Sequence, residues 1–147
     1  MIRIKAVDAQ NLLEVCRLTA SRDCVGRKGH CRCNAVSIAE AKYHAELHPN
    51  AIYHNNGLIG FFMYQRAEDH ADTASIRRFM IDDRFQQKGL AEKALEHILR
   101  GLKIQGVRKA VIILDGADED AKNLYLSFGF HFTGKMDKDE CRYELEL

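Results

Sequence analysis

The apolar residues of this chain occur in short runs that are separated by helical patterns. Residues 2–6 predict a short strand. Asp8 then predicts the cap of a first helix, because Val7 and Leu12 on either side of it have the spacing of a hydrophobic staple. The apolar period disappears over residues 22–34, which contain two glycines, so we expect a loop there.

A second helix is expected after this loop. Ser37-Ile38-Ala39-Glu40 has the pattern of a capping box, in which a serine and a glutamate side chain each bond the other's backbone N–H. We expect the helix to begin there and to extend toward His48. Pro49 is expected to help end it, because the residue before a proline disfavours helical geometry.

A hairpin and a further strand are predicted next. Residues 51–54 and 58–64 are apolar runs on either side of Asn55-Asn56-Gly57. Asn and Gly both tolerate positive φ, so Asn-Gly between two apolar runs is a strong hairpin signal. Residues 68–72 form a polar turn, and residues 74–81 predict the strand that follows it.

The strongest helical pattern begins at Ala91. Its apolar residues recur at helical spacing, which places them on one face of a helix. These residues are Ala91, Ala94, Leu95, Ile98, Leu99 and Leu102. Gly106 suits the end of this helix.

The last third of the chain predicts a strand, a helix and two closing strands. Residues 109–114 contain an apolar run typical of a strand that is buried on both faces. Helical spacing returns at Ala121, Leu124, Tyr125 and Phe128, and Gly129 follows as a stop. The closing strands are residues 130–134 and 142–147, around a polar turn over residues 136–140.

The predicted order of elements is therefore β-α-α-β-β-β-α-β-α-β-β. This order favours an α/β (α+β) fold with a mixed central sheet of six to seven strands, flanked on both sides by about four helices. A chain of 147 residues has the length of one domain, which we assign to residues 1–147.

Composition narrows the class of protein. Hydrophobic residues make up 46% of the chain and charged residues 29%, which fits a globular domain. A net charge of +1 gives no electrostatic footprint for nucleic acid or a membrane surface, so we expect neither as a partner. Residues 1–5 lack the apolar core of a signal peptide, and residues 58–64, the longest apolar run, cannot span a bilayer. We expect a cytoplasmic protein.

The cysteines are Cys16, Cys24, Cys31, Cys33 and Cys141. Without a secretion signal, reduced thiols are expected. Three of the five, Cys24, Cys31 and Cys33, cluster with His30, and four such ligands could hold zinc. Their spacing matches none of the usual structural zinc sites. This favours thiols in a loop with no metal, and a metal-binding loop is the weaker alternative.

The turn between the strand that ends at Ile81 and the long helix contains Gln86-Gln87-Lys88-Gly89-Leu90-Ala91. A glycine-containing turn from a strand into a helix leaves several backbone N–H groups pointing the same way, and the helix dipole adds positive potential there. Such a corner binds phosphate oxygens. We therefore expect it to hold a phosphorylated small molecule.

This corner and the stretch Leu124-Tyr125-Leu126-Ser127-Phe128-Gly129-Phe130 together resemble the GNAT superfamily of N-acetyltransferases. The shared patterns are Q-x-x-G-x-A after a strand and L-Y-x-x-x-G-F after the next one. The element order matches the GNAT fold over nearly the whole chain. Residues 78–90, 59–64 and 130–134 further resemble the bacterial spermine/spermidine acetyltransferases.

The resemblance implies acetyl-CoA as co-substrate and a primary amine as acceptor, with a polyamine as the leading expectation. It places the diphosphate on the amides of Gln87, Lys88, Gly89, Leu90 and Ala91. It places the pantetheine along the backbone of Phe79, Met80 and Ile81, in the manner of an added strand. The other implied cofactor-binding residues are Gln86, Asp118 and Lys122.

The resemblance also implies a mechanism. The amine attacks the thioester directly in a ternary complex, and a backbone N–H near Met80 or Ile81 donates to the oxyanion. Tyr125 is the expected general acid for the departing thiolate, because a phenol stays protonated at neutral pH. Relatives often dimerise through their C-terminal strands, so a homodimer is compatible with the chain.

Two positions depart from the family pattern. Asp118 stands where the family often has Asn, and a carboxylate can cap a helix but cannot donate to pantetheine. Arg77 stands where the polyamine enzymes typically have an acid, and a cation facing the pocket would repel a polycation. Arg77 and Arg78 alternate along a strand, so we expect only one of them to face the active site.

These departures keep two alternatives open. One is an acetyltransferase for another amine, such as an amino acid, a peptide N-terminus or an aminoglycoside. The other is a non-catalytic sensor that binds CoA. The acids that could supply negative charge to a polyamine are Glu68, Asp69, Asp72 and Asp82.

Overall fold

A computed structural model describes residues 1–20, 33–86 and 88–147. The strands are β1 (Ile2–Ala6), β2 (Leu47–His54), β3 (Gly57–Gln65), β4 (Thr73–Ile81), β5 (Lys109–Asp115), β6 (His131–Asp137) and β7 (Glu140–Glu146). The helices are α1 (Leu12–Arg17), α2 (Asn34–Tyr43), α3 (Leu90–Ile104) and α4 (Glu119–Ser127). Within these described ranges the order of elements is the predicted one.

The seven strands form one mixed sheet in the order β1-β2-β3-β4-β5-β7-β6. The neighbours β4 and β5 run parallel, and the remaining neighbouring pairs run antiparallel. A parallel pair needs a crossover connection, and α3 provides it. The turn that the sequence identifies as a phosphate site therefore lies between the central strand β4 and α3.

Helices cover both faces of the sheet. The apolar stripe of α3 is buried on one face, where Tyr125 of α4 joins it in the larger core cluster. Val15 of α1 and Ile38 of α2 pack on the opposite face with Phe61, in a second cluster. Helices on both sides of a mixed sheet confirm the expected fold class.

Strand β5 is less buried than its sequence predicts. Ala110, Ile112 and Leu114 face the larger cluster and are buried, whereas on the other face Val111 is buried and Ile113 is 46% exposed. Helices α1 and α2 pack mainly over β3 and β2.

The helix boundaries differ from those expected at two places. The Asp8 carboxylate accepts the N–H groups of Gln10 and Asn11, but α1 itself begins at Leu12, one turn later. The expected capping box at Ser37 is wrong, because α2 already begins at Asn34 and Ser37 lies buried inside it. Its hydroxyl accepts from a strand instead of capping the helix.

Pro49 lies within β2 and does not end the second helix, which stops at Tyr43. A proline is tolerated at this position because β1 stops pairing at Asn50, and the Pro49 carbonyl accepts from Val7 beyond that point. The expected hairpin is confirmed, with Asn55 and Asn56 as its two turn residues at φ 50° and 71°.

Strand β4 contains one extra residue. Met63 of β3 pairs with Arg78 and Tyr64 pairs with Ile76, so Arg77 is inserted between two successive pairs and forms a β-bulge. Before the bulge, the side chain of Ile76 faces α3; after it, the side chains of Arg78 and Met80 face α1 and α2. The bulge therefore reverses which residues point to each side.

Strands β4 and β5 separate after the bulge. Their pairing runs from Thr73 and Lys109 to Ile76 and Ile112. Beyond that point β4 remains paired with β3, and β5 remains paired with β7. A gap thus opens between the two strands, and we call it the β4–β5 gap.

Candidate active site

The corner between β4 and α3 has the geometry expected of an anion site. Gly89 is the N-cap of α3 in the left-handed conformation, with φ 71°. Leu90 is buried and anchors the first turn, whereas Lys88 and Gly89 are exposed. The first-turn N–H groups of a helix have no acceptor within the helix, so they remain available to a ligand. Gln87 lies outside the described residues.

Open space lies in front of this corner. A Cβ atom added to Gly89 would meet no atom within 4 Å. A ligand can therefore approach the backbone closely, and only a glycine combines this approach with a positive φ at low cost. The residues present fit the diphosphate of CoA.

Backbone groups of β4 line the β4–β5 gap. The N–H of Asp82 donates to Ile59 on β3, at 2.7 Å. Backbone direction alternates along a strand, so Met80 also faces β3, whereas Phe79 and Ile81 face the gap. The side-chain amide of Gln86 donates to the Ile81 carbonyl, which agrees with that direction.

The side chains of these strand residues are part of the core. Phe79 is half-buried and packs on the larger cluster, and Ile81 is a buried member of it. Met80 is buried in the cluster under α1 and α2. This burial leaves the backbone as the part of these three residues that can contact a ligand.

Tyr125 of α4 is buried on the α3 side of the sheet. It is 4% exposed, and its ring meets the Phe130 ring edge-on with 5.3 Å between centroids. It belongs to the cluster that contains Ile81 from one side of the gap and Leu114 from the other. The structure thus gathers Tyr125 and both walls of the gap around one core.

The start of α4 is capped by Asp118. Its carboxylate accepts the N–H of Ala121 at 3.1 Å, so this departure from the family pattern has a structural role. Lys122 lies one turn into the helix and is 3.9 Å from the carboxylate of Glu119. Its side chain is 38% exposed and remains accessible from solvent.

Of the four acids considered for an amine site, Asp82 alone lies at the gap end of β4. Glu68 and Asp69 are in the connection between β3 and β4, and Asp72 directly precedes β4. These three acids are therefore at the opposite end of the strand from Ile81. The gap depends on where β4 and β5 stop pairing, so the sequence alone does not show which of these acids lies beside it.

Asp82 joins the segment that follows α1 to the end of β4. Its carboxylate is buried and accepts the N–H of Thr19 at 2.9 Å, the N–H of Arg84 at 3.0 Å and the Arg84 Nε at 2.8 Å. Burial alone would raise the pKa of Asp82, but these hydrogen bonds outweigh it, and the pKa lies below its usual value. Sequence reasoning missed this structural role, because the Thr19 N–H lies 63 residues away in the chain.

The two consecutive arginines have different environments. Arg77 is exposed and donates to the Gln65 side chain at 2.7 Å. Arg78 is only 6% exposed and bonds to two side chains of α2. The sequence draws attention to Arg77, but the buried cation is Arg78, because the bulge turns its side chain inward.

The cysteine cluster is described only in part. Cys24, His30 and Cys31 lie outside the described residues, and Cys33 is exposed directly before α2. Cys16, Cys33 and Cys141 are free thiols. Within the described ranges, no group of three or more His, Cys, Asp or Glu side chains is arranged to hold a metal ion.

Over residues 1–20, 33–86 and 88–147, no helix has the length and apolar character needed to cross a membrane.

Residues 12–130 match the acetyltransferase (GNAT) family. The chain belongs to the GNAT acetyltransferase family. Over 142 residues it is 29% identical to the spermine/spermidine N(1)-acetyltransferase of Bacillus subtilis strain 168, covering 92% of this chain and 91% of that protein. The expected superfamily is confirmed. The family and this relative make the protein an N-acetyltransferase enzyme.

Solved GNAT structures share the fold of this enzyme. An acetyltransferase from Thermus thermophilus superposes with a TM-score of 0.77 at 18% identity, covering 99% of this chain and 97% of that one. An N-acetyltransferase from Thermoplasma acidophilum, solved in complex with coenzyme A, gives a TM-score of 0.74 at 14% identity, covering 100% and 99%. The whole described chain therefore has the GNAT architecture.

The Asp82 hydrogen bonds predict a pH-dependent contribution to stability. Asp82→Asn should lower the free energy of unfolding by about 1–3 kcal/mol at pH 7, because it removes the charge of a buried acceptor that holds three donors. The folded-state pKa is lower than the unfolded one, so this stability is present above about pH 4 and lost as pH falls through the folded-state value. Urea unfolding at several pH values measures the difference.

Asp69→Asn is the matched control, because Asp69 is exposed in the β3–β4 connection. We expect it to change stability by less than about 0.5 kcal/mol at any pH. A difference between wild type and Asp82→Asn that stays constant down to about pH 2 would contradict this role of the carboxylate.

Proposed function

We propose that this enzyme transfers the acetyl group of acetyl-CoA to a small primary amine by direct attack in a ternary complex. The observation that carries the proposal is the β4–β5 gap, which leads directly to the Gly89 corner. An extended chain with amide groups can bond to the open edge of β4, and its diphosphate can then reach the first turn of α3. CoA has both parts.

The binding roles follow from this placement. The amides of Lys88, Gly89, Leu90 and Ala91 would hold the diphosphate, with Gln87 as a further donor. The backbone groups of Phe79 and Ile81, which face the gap by strand alternation, would pair with the pantetheine. Gln86 would release or share the Ile81 carbonyl. The complex of the Thermoplasma relative with coenzyme A supports CoA as the ligand class.

The chemistry has three requirements, and the chain supplies groups for two of them. The amine nitrogen must be neutral to attack the thioester carbon, and a free alkylamine has a pKa of about 10. The Ile81 N–H faces the gap and would donate to the oxyanion, whereas the Met80 N–H faces β3. The carbon–sulfur bond then breaks, and Tyr125 would give its proton to the departing thiolate. The proton that the amine nitrogen loses on becoming an amide would pass through water and restore the Tyr125 phenol.

A polyamine is the acceptor that we propose first. The Bacillus subtilis relative is named a spermine/spermidine N(1)-acetyltransferase, and the similarity covers most of both chains. A second candidate is an amine that also carries a carboxylate, such as an amino acid or a peptide N-terminus. The observation in its favour is Arg77, a cation at a position where the polyamine enzymes typically have an acid.

An acceptor panel tests the proposed function. Purified enzyme with acetyl-CoA is assayed for thiol release against spermidine, spermine, amino acids, a peptide with a free N-terminus and an aminoglycoside. We expect release that depends on the amine, and the highest kcat/KM with a polyamine. Preference for a carboxylate-bearing amine would select the second candidate, and no release with any amine would reject the proposed function.

Gly89 provides a test of the diphosphate site. Gly89→Ala should weaken CoA binding about tenfold, because the Cβ strains a positive φ and occupies the approach to the amides. Isothermal titration calorimetry measures the affinity. Gly134→Ala is the control: Gly134 also has a positive φ, 87°, and open space around it, but lies on β6. An equal loss of CoA affinity in both variants would argue against the site.

Tyr125→Phe tests the general acid. The ring and its packing on Phe130 are retained, so CoA affinity should stay within about twofold. Turnover should fall about a hundredfold, because a positioned general acid contributes on that order. Tyr143→Phe removes the hydroxyl of another buried tyrosine, on β7, and should preserve both quantities. Unchanged turnover in Tyr125→Phe would remove Tyr125 from the mechanism.

A further inference from the structure

Arg78 is a buried cation in the stretch of β4 that lines the β4–β5 gap. Its Nη1 donates to the Ser37 hydroxyl at 2.8 Å and its Nη2 donates to the Asn34 side-chain oxygen at 2.9 Å. The guanidinium also lies over the Phe61 ring, 5.4 Å from its centroid. One side chain of β4 thus holds the first turn of α2.

The contact continues from α2 to α1. The Asn34 side-chain nitrogen donates to the Val15 carbonyl at 2.9 Å and lies 3.9 Å from the Met80 sulfur. Asn34 is itself only 4% exposed, so this is an interior network and not a surface pair. Through Asn34, Arg78 connects both helices on this face to the strand.

The bulge makes this connection relevant to the site. Arg78 follows Arg77 directly, and the next residue, Phe79, turns its backbone into the gap. The side of β4 that carries Arg78 is the side on which α1 and α2 pack. A cavity opens on this face at the end of β4, and the residues that line it include Leu18 and Thr19 after α1 and Asp82 after β4. The network that fixes the distance between these helices and β4 therefore also fixes the width of this cavity beside the proposed thioester position.

We propose that Arg78 is a positioning residue that sets the acceptor side of the active site. This inference rests on the proposed function. A guanidinium is suited to the role because its donors are held in a rigid plane and can bond two helix side chains at once, whereas a lysine is a flexible point charge. Burial of a charge is costly, so a merely structural tie would more simply be apolar.

The test is Arg78→Lys, which keeps the charge and loses the planar fork. We expect the KM for the amine to rise about tenfold or more, because small displacements of a bound reactant are costly. The KM for acetyl-CoA and the CoA affinity should stay within about twofold. Ser37→Ala, which removes one of the two bonds, should give a smaller change of the same kind and serves if Arg78→Lys does not fold.

Arg100→Lys is the control, because Arg100 is exposed on α3 and pairs with Glu96. It should change neither KM. The role of Arg78 would be overturned if the amine KM stayed unchanged in both Arg78→Lys and Ser37→Ala. It would also be overturned if the KM values for the amine and for acetyl-CoA rose together. Wild-type enzyme that acetylates no amine would instead reject the proposed function, so the two failures are distinguishable.

Discussion

The bulge at Arg77 is the constraint on which the rest of the site depends. One extra residue in β4 reverses which side of the sheet the later side chains face, so that Phe79 and Ile81 face α3 and Arg78 faces α2. At the same place β4 and β5 lose register and separate. If β4 were regular, alternate side chains would face the same side of the sheet along its whole length. Strand β5 could then continue to pair with it beyond Ile76. A regular sheet would have no open backbone edge at its centre.

The surroundings hold this irregular strand from both sides. On the β3 side, a Cβ at Gly60 would lie 2.3 Å from the Met80 carbonyl, so the close approach of the two strands needs a glycine. On the α1 side, Asp82 fixes the end of β4 to Thr19. A strand with an open edge is a liability in a sheet unless its position is set by such contacts. The gap end of β4, held in this way, is followed in the chain by the Gly89 corner and the first turn of α3.

The sequence predicts elements well where the information is local. The apolar stripe of α3 and the turn residues Asn55 and Asn56 need only a few neighbours to be interpreted, and both are found as expected. The predicted capping box at Ser37 is wrong because Ser37 lies inside α2, where its hydroxyl accepts from Arg78, 41 residues away in the chain. A pattern of neighbouring residues cannot show a hydrogen bond to a residue that is distant in the chain.

The site shows the same limit. Motif spacing alone identifies the Gly89 corner and Tyr125 as candidates, because each depends on a contiguous stretch. The bulge is invisible in one strand, since it exists only as a mismatch with β3. For that reason the sequence points to Arg77 as the cation of interest, whereas the register buries Arg78. The structural role of Asp82 likewise depends on the N–H of Thr19, which is distant in the sequence.

A crystal structure of the enzyme with CoA tests the central claim most directly. The account predicts the diphosphate within hydrogen-bond distance of the amides at residues 88–91, and the pantetheine bonded to the backbone of Phe79 and Ile81 within the β4–β5 gap. CoA bound elsewhere on the chain, with β4 and β5 still separated and the gap filled only by solvent, would contradict it.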